Sequence, residues 1–93
     1  MGVNFDIIYH PDVVEKDIPK LSPFDKRKIK KAIEEKLTTH PELFGKPLRR
    51  SLKGYRKLRF GDYRIIYCLE GSKVKIFCIA HRSIVYERSE ERL

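Results

Sequence analysis

Two alternating runs, YRKLRF at 55–60 and YRIIYCL at 63–69, are separated only by Gly61-Asp62. Gly-Asp between two such runs is a hairpin signal. It constrains this chain more than any other feature, because a two-residue turn leaves a single register. Phe60 then faces Tyr63, Arg59 faces Arg64, Leu58 faces Ile65 and Lys57 faces Ile66. Strand side chains alternate, so the pleat sorts these residues into two sets. Leu58, Phe60, Tyr63, Ile65 and Tyr67 share one face, expected to pack under helices. Tyr55, Lys57, Arg59, Arg64, Ile66 and Cys68 share the other. The second face brings three cations together and sets two arginines opposite one another. Like charges in that position destabilise a sheet, and they are easiest to keep where an anion sits between them. The alternative is a pair of surface arginines splayed into separate solvent.

The rest of the charge points the same way. The chain has 21 Lys and Arg against 13 Asp and Glu, a net charge of +8. Residues 46–64 hold eight of those cations, Lys46, Arg49, Arg50, Lys53, Arg56, Lys57, Arg59 and Arg64, and one acid, Asp62, so this window carries +7. A concentrated basic segment is the electrostatic footprint of a polyanion binder. A surface charged only for solubility usually mixes both signs.

Around the hairpin, residues 3–9 read as an opening strand with Val3, Phe5 and Ile7 on one face. Pro11 suits the first turn of a short helix, with Val14, Ile18 and Leu21 as its apolar stripe and Pro19 limiting its length. Ser22-Pro23-Phe24-Asp25 starts a second helix, Ser22 as N-cap and Pro23 at the first position. Its inward stripe is Ile29, Ala32, Ile33 and Leu37, and its solvated faces carry Lys26, Arg27, Lys28, Lys30 and Lys31. Pro41 ends the helix. Residues 41–54, with two prolines and two glycines, read as a connecting loop. Residues 73–80, KVKIFCIA, form a further strand, and 82–93 form a mostly polar tail with room for one short helix. The order β-α-α-β-β-β implies an α+β class: two N-terminal helices packed on a small, mainly antiparallel sheet. With 93 residues, a single domain over 1–93 is expected.

Composition removes several function classes. Hydrophobic residues make up 41%, enough for a globular core. The apolar runs are too short to span a bilayer, and MGVNFDIIYHPD lacks the features of a signal peptide. A cytoplasmic protein without a membrane partner is the expectation. Cys68 and Cys78 stand ten apart and fit no zinc spacing. They read as reduced thiols in or near the sheet, and no metal or cofactor is expected.

The chemistry such a basic face supports is RNA cleavage. RNA carries its own nucleophile, the 2′-hydroxyl. The protein then has to remove the 2′ proton, stabilise charge on phosphorus and protonate the leaving oxygen. Arginine suits the second task, because its fork matches phosphate geometry. A lysine held among other cations gives up its proton more readily and can serve the first. The product is a 2′,3′-cyclic phosphate. His81-Arg82 at the end of the third strand, with Tyr86 four residues on, adds a proton carrier, a cation and a stacking ring. Taken alone, His81 reads more readily as a polar strand end than as a site residue, and Tyr86 can be read as an anchor for the tail.

The run GYRKLRFGDYRIIY at 54–67, followed by IAHRSIVY at 79–86, resembles the RelE/ParE toxin superfamily, and the H-R-x-x-x-Y ending favours the RelE branch. Tyr9-His10-Pro11, the two helices and LRRSLKGY extend the resemblance over nearly the whole chain. It implies the toxin of a type II toxin–antitoxin module, a metal-independent, ribosome-dependent mRNA endoribonuclease that inhibits translation. The cognate antitoxin, the ribosome and mRNA are the implied partners, and a toxin–antitoxin hetero-oligomer the implied assembly. By resemblance, Lys57 is a candidate general base, Arg64 a phosphate-stabilising arginine, Arg82 a second catalytic arginine, and Tyr86 the tyrosine that stacks on the base being cut. His81 is an alternative proton carrier. Lys53, Arg56, Arg59, Arg49 and Arg50 are candidate RNA contacts. Some RelE proteins have a lysine where this chain has Tyr55, which leaves the base open between Lys57, His81 and a compensating Arg56 or Lys53. The competing readings are a ParE-like gyrase poison without nuclease activity and an inactive RNA-binding homologue.

Overall fold

The computed structural model describes residues 4–93. In chain order its elements are β1 (Asp6–Tyr9), a π-helical turn (Val13–Asp17) running into a 3-10 turn (Ile18–Lys20), α1 (Pro23–Lys36), β2 (Lys46–Pro47), a 3-10 turn (Arg50–Leu52), β3 (Tyr55–Phe60), β4 (Tyr63–Glu70), β5 (Lys73–His81) and α2 (Val85–Glu91). The strands form one mixed sheet in the order β1-β5-β4-β3-β2. Only the β1–β5 pair is parallel. Among the described residues no helix is long and apolar enough to cross a membrane.

The hairpin has the expected register, with Phe60 opposite Tyr63, Arg59 opposite Arg64 and Lys57 opposite Ile66. Gly61 makes the turn possible. Its φ of 56° lies in the left-handed region, which a II′ turn demands at its first central position and which only glycine enters without strain. Leu58, Ile65 and Tyr67 are buried in the larger of two apolar clusters, with Phe60 and Tyr63 packed at its edge. α1 covers this face. Ser22 caps it, its hydroxyl accepting from the Asp25 N–H at 3.1 Å. Ile29, Ala32, Ile33 and Leu37 are its buried stripe. A 14-residue helix is marginal alone, so burial of these side chains, about 1.5–3 kcal/mol for each large one, holds it in place.

Four features depart from the expected fold. Val3 lies outside the described residues, and the opening strand begins at Asp6, with Phe5, Ile7 and Tyr9 packed against the larger cluster. In the first helical segment Val14 is 53% exposed and Val13 is buried instead. The segment is π-helical, its Ile18 N–H donating to Val13 O five residues back. That wider turn displaces the 3.6-residue stripe and turns Asp17 inward. The loop at 41–54 contains β2, which pairs Lys46 with Lys57 and Pro47 with Arg56. Two exposed residues, one a proline, carry no strand periodicity, and proline is tolerated there because β2 is an edge strand.

The fourth departure matters most for function. The tail folds as α2, on the sheet face opposite α1. Val85 is buried there with Ile66, Phe77, Cys78 and Ala80, and Leu48 and Tyr55 pack at the margin. A bulge in β5 makes this possible: Ile66 pairs with Cys78 but Tyr67 pairs with Ile76, leaving Phe77 as the extra residue. The bulge re-phases the strand, so Phe77 and Cys78 both join the cluster under α2 while Ile76 and Ile79 join the one under α1.

Candidate nucleic-acid interface

Because α2 covers only part of its face, the remainder of that face is left to charge. β2 begins only at the Lys46–Lys57 pair, so the β3 edge from Leu58 onward is uncovered. There a recess of about 490 Å³ is lined by Lys46, Lys57, Arg59 and Arg64, with Leu43, Gly45 and Leu58. Two like-charge pairs oppose each other across strands, Lys46 with Lys57 and Arg59 with Arg64. Lys46 belongs to the basic window, but its place in the recess depends on the short strand that sequence periodicity does not reveal.

The wall that carries Lys46 is pinned from beneath. The buried Tyr67 hydroxyl donates between Pro41 O, at 2.7 Å, and Phe44 O. Arg56 donates to Gly45 O at 3.0 Å. A Cβ at Gly45 would stand 2.5 Å from the Tyr67 hydroxyl and 2.9 Å from Lys57 O, so no larger residue fits without displacing the wall. Burial pushes the Tyr67 phenol up to about 12. Arg56, a candidate RNA contact, therefore belongs to the α1 face, opposite Tyr67, where it braces the loop.

The other candidates divide clearly. Lys57 and Tyr86 come together: the Lys57 Nζ lies 5.6 Å from the centre of the Tyr86 ring. Tyr86 is in the first turn of α2 and 39% exposed. Arg64 is half-buried and opposite Ala80. One guanidinium nitrogen donates back to the hairpin, to Gly61 O at 2.9 Å and Tyr63 O at 2.8 Å, which sets the side chain's direction. Arg82 stands at the hairpin tip, its backbone N–H bonded to Asp62 O at 2.8 Å and its side chain 3.9 Å from the Asp62 carboxylate. Arg49, Arg50 and Lys53 are exposed around the 3-10 turn at the other end of β3. That turn is tied to α2 by a 2.9 Å hydrogen bond from the Ser51 hydroxyl to Glu90.

His81 does not join this constellation. It pairs with Tyr63, whose ring it meets edge-on at 6.1 Å, and so lies on the α1 side of the sheet. Its Nδ1 accepts the Ser83 backbone N–H at 3.2 Å, and the Ser83 hydroxyl is 2.8 Å from the same nitrogen. A backbone amide can only donate, so the neutral ring carries its proton on Nε2. Cys68 and Cys78 are free thiols, and burial raises both above the usual range, which keeps them protonated and poorly reactive.

Sequence reasoning missed one cluster altogether. Asp17 is 1% exposed, and Arg92 bonds it in two places, at 2.6 and 2.7 Å. Arg88 lies 3.6 Å from the same carboxylate. The partners are separated by most of the chain, and neither position carries a local signal.

Comparison with known proteins agrees with this architecture. A family model described as the ParE toxin of type II toxin–antitoxin system, parDE, matches residues 7–86. Two curated relatives from Mycobacterium tuberculosis (strain ATCC 25618 / H37Rv) are similar in sequence. Toxin RelE is 42% identical over 52 residues, 54% of this chain and 54% of the relative. Toxin RelG is 41% identical over 54 residues, 56% of this chain and 62% of the relative. The matches thus span between half and two thirds of those proteins. Among solved structures, the toxin–antitoxin complex RelBE2 from Mycobacterium tuberculosis contains a chain that superposes with a TM-score of 0.79 at 29% identity, covering 87% of this chain and 94% of that one. With the family model matched over most of its length and the fold shared with a chain of a RelBE toxin–antitoxin complex, the chain belongs to the RelE/ParE superfamily of type II toxin–antitoxin toxins.

Proposed function

We propose that this toxin is a ribosome-dependent mRNA endoribonuclease working on the α2 side of its sheet. The observation that carries the reading is the junction of two features: a recess lined by four cations, and within it Lys57, whose ammonium lies over the ring of Tyr86. A phosphodiester seated in the recess meets Arg59 and Arg64 as phosphate partners, with Lys46 across the gap. Lys57, acting as the neutral amine after giving up its own proton, takes the 2′ proton, and the 2′ oxygen then attacks phosphorus. The bond to the 5′ oxygen breaks, and that oxygen takes a proton from water, leaving a 2′,3′-cyclic phosphate on one fragment and a 5′-hydroxyl on the other. Arginines preorganised in this way stabilise the charge that develops on the phosphorane. Tyr86 stacks on the neighbouring base, and Arg82 supplies a further cation at the hairpin tip. RNA supplies the nucleophile, so the reaction requires no metal or cofactor.

The reading also names partners. One solved structural relative is a toxin–antitoxin complex, and a cognate antitoxin is proposed here too. The ribosome, with its mRNA, is the proposed target. One observation favours a second reading: the matching family model carries the ParE description, and a ParE-like gyrase poison would need no cleaving site.

Mapping of mRNA 5′ ends after brief expression separates the two. New 5′ ends inside translated frames, matched by upstream fragments ending in cyclic phosphate, are expected. Intact mRNA with accumulating DNA damage would instead favour the gyrase reading. The same cleavage should persist in purified ribosomes with magnesium retained and zinc and manganese chelated. Loss that added zinc or manganese reverses would overturn the metal-independent mechanism.

A further inference from the structure

We infer that Asp17 and Arg92 are positioning residues for the proposed RNA-cleaving site, holding Tyr86 over Lys57 from a buried ion pair at the far end of α2. The inference rests on the functional reading above. Its structural core is a set of bonds that ties two separate segments, β5 and the end of α2, to one carboxylate. Asp17 Oδ1 accepts from Arg92 at 2.6 Å, and Oδ2 accepts from Arg92 at 2.7 Å and from the Ile79 backbone N–H at 2.9 Å. The same Arg92 guanidinium donates to Phe77 O at 3.0 Å. Arg88 and Asp12 extend the cluster, at 3.6 Å from Asp17 and from Arg92 respectively.

Phe77 is the extra residue of the β5 bulge, and Ile79 follows two positions later. The ion pair therefore supplies partners for a backbone group of the bulge residue and for one just beyond it. The phase of the strand beyond it decides which residues face α2. With the bulge in place, Ala80 lies beside Arg64, and small Ala80 leaves room there for the arginine. A strand without the bulge would turn His81 toward that face instead.

The second consequence concerns α2 itself. It has seven residues, too few to persist as an isolated helix. It stays helical because it is held at both ends. Val85 is buried at its start, and Arg92, its C-cap, is docked on Asp17 at its end. Tyr86 sits one residue beyond Val85. A loosened α2 frees the ring to rotate away from Lys57, while the recess cations on β2, β3 and β4 stay where they are. The expected signature is thus a loss of rate with RNA and ribosome binding retained.

Two variants and two readouts test this. Arg92→Lys keeps the charge but cannot fork between two Asp17 oxygens and Phe77 O. The double variant Asp17→Leu with Arg92→Met removes both charges, and apolar replacement of a whole buried pair commonly preserves stability. The first readout is the NMR shift of the Lys57 side-chain methylenes, which the Tyr86 ring current displaces. The second is cleavage of ribosome-bound mRNA, resolved into kcat and KM. Each folded variant should move the Lys57 shifts toward free-lysine values and lower kcat by about 10- to 100-fold, the scale set by a small misplacement of a reacting group, with KM for ribosomes unchanged. Should the double variant fail to fold, Arg92→Lys alone carries the decision. Folded variants with wild-type Lys57 shifts and wild-type kcat would overturn the inference. If the wild-type protein itself cleaves nothing, the functional reading fails, and the NMR readout still decides whether the ion pair positions Tyr86.

Discussion

Two charge clusters of this toxin follow opposite rules. In the recess, Lys46, Lys57, Arg59 and Arg64 gather like charges across neighbouring strands. Beneath the end of α2, Asp17 and Arg92 join opposite charges, side chains 0% and 6% exposed, with further hydrogen bonds to Ile79 and Phe77. Buried charge is costly to desolvate and survives only when fully paired. The recess faces solvent, where water and salt screen repulsion, so it can hold a mutual strain that the proposed RNA phosphate would relieve. One cluster is built to be complete without a ligand, and the other is left incomplete.

The comparison breaks most visibly at Asp17. Asp17→Ala leaves Arg92 buried without its carboxylate, and breaking a buried pair in this way costs about 3–5 kcal/mol. Thermal or urea unfolding should show a loss of that size, and a change under 1 kcal/mol would mean that water already reaches the pair. Arg64→Ala should do the reverse. Cleavage falls about 10²–10³-fold, as when one transition-state donor is removed, while the melting temperature stays close to wild type, because the lost side chain bonds only to the exposed hairpin turn. A toxic Arg64→Ala strain at equal protein level would remove Arg64 from the site.

Tyr67 sharpens the comparison through pH. Its phenol is raised to about 12 in the folded protein against 10.0 for the ordinary group. The unfolded chain therefore ionises first. The contribution is complete below pH 10 and is lost as pH rises toward 12, about 2–3 kcal/mol over that window. Tyr67→Phe should flatten that part of the stability profile while lowering stability at neutral pH, since Pro41 O and Phe44 O lose their donor. An alkaline slope that Tyr67→Phe leaves intact would assign it to another group. The smallest effect is expected at Arg59. Arg59→Thr relieves one like-charge pair and should stabilise the protein by about 0.2–1 kcal/mol, most clearly at low salt. Destabilisation would show that the opposed arginines do not repel as their register implies.

The hairpin was readable because its information is local. Period-two alternation and one glycine at a turn suffice to place Arg59 opposite Arg64 and to send Leu58, Ile65 and Tyr67 to the helix side. The Ser22 cap and the Ile29, Ala32, Ile33 and Leu37 stripe are local for the same reason. The bond from Arg56 to Gly45 O was not legible, because charge alone does not tell a ligand contact from a brace. The face of His81 is set by the β5 bulge, and a bulge leaves no mark in KVKIFCIAH.

The amino-acid order thus carries the sheet's central register, the basic window and the family to which the chain belongs, since each rests on neighbours in the chain or on a short motif. Folding in three dimensions assigned the rest. It gave Lys46 to the recess through a two-residue edge strand, inverted Val13 and Val14 through a π-turn, and set α2 on the open face. It also paired Asp17 with Arg92, at opposite ends of the chain. These outcomes depend on which distant groups satisfy buried polar atoms. Burial forces such groups to find partners, and which partners they find is decided only when the whole chain has packed.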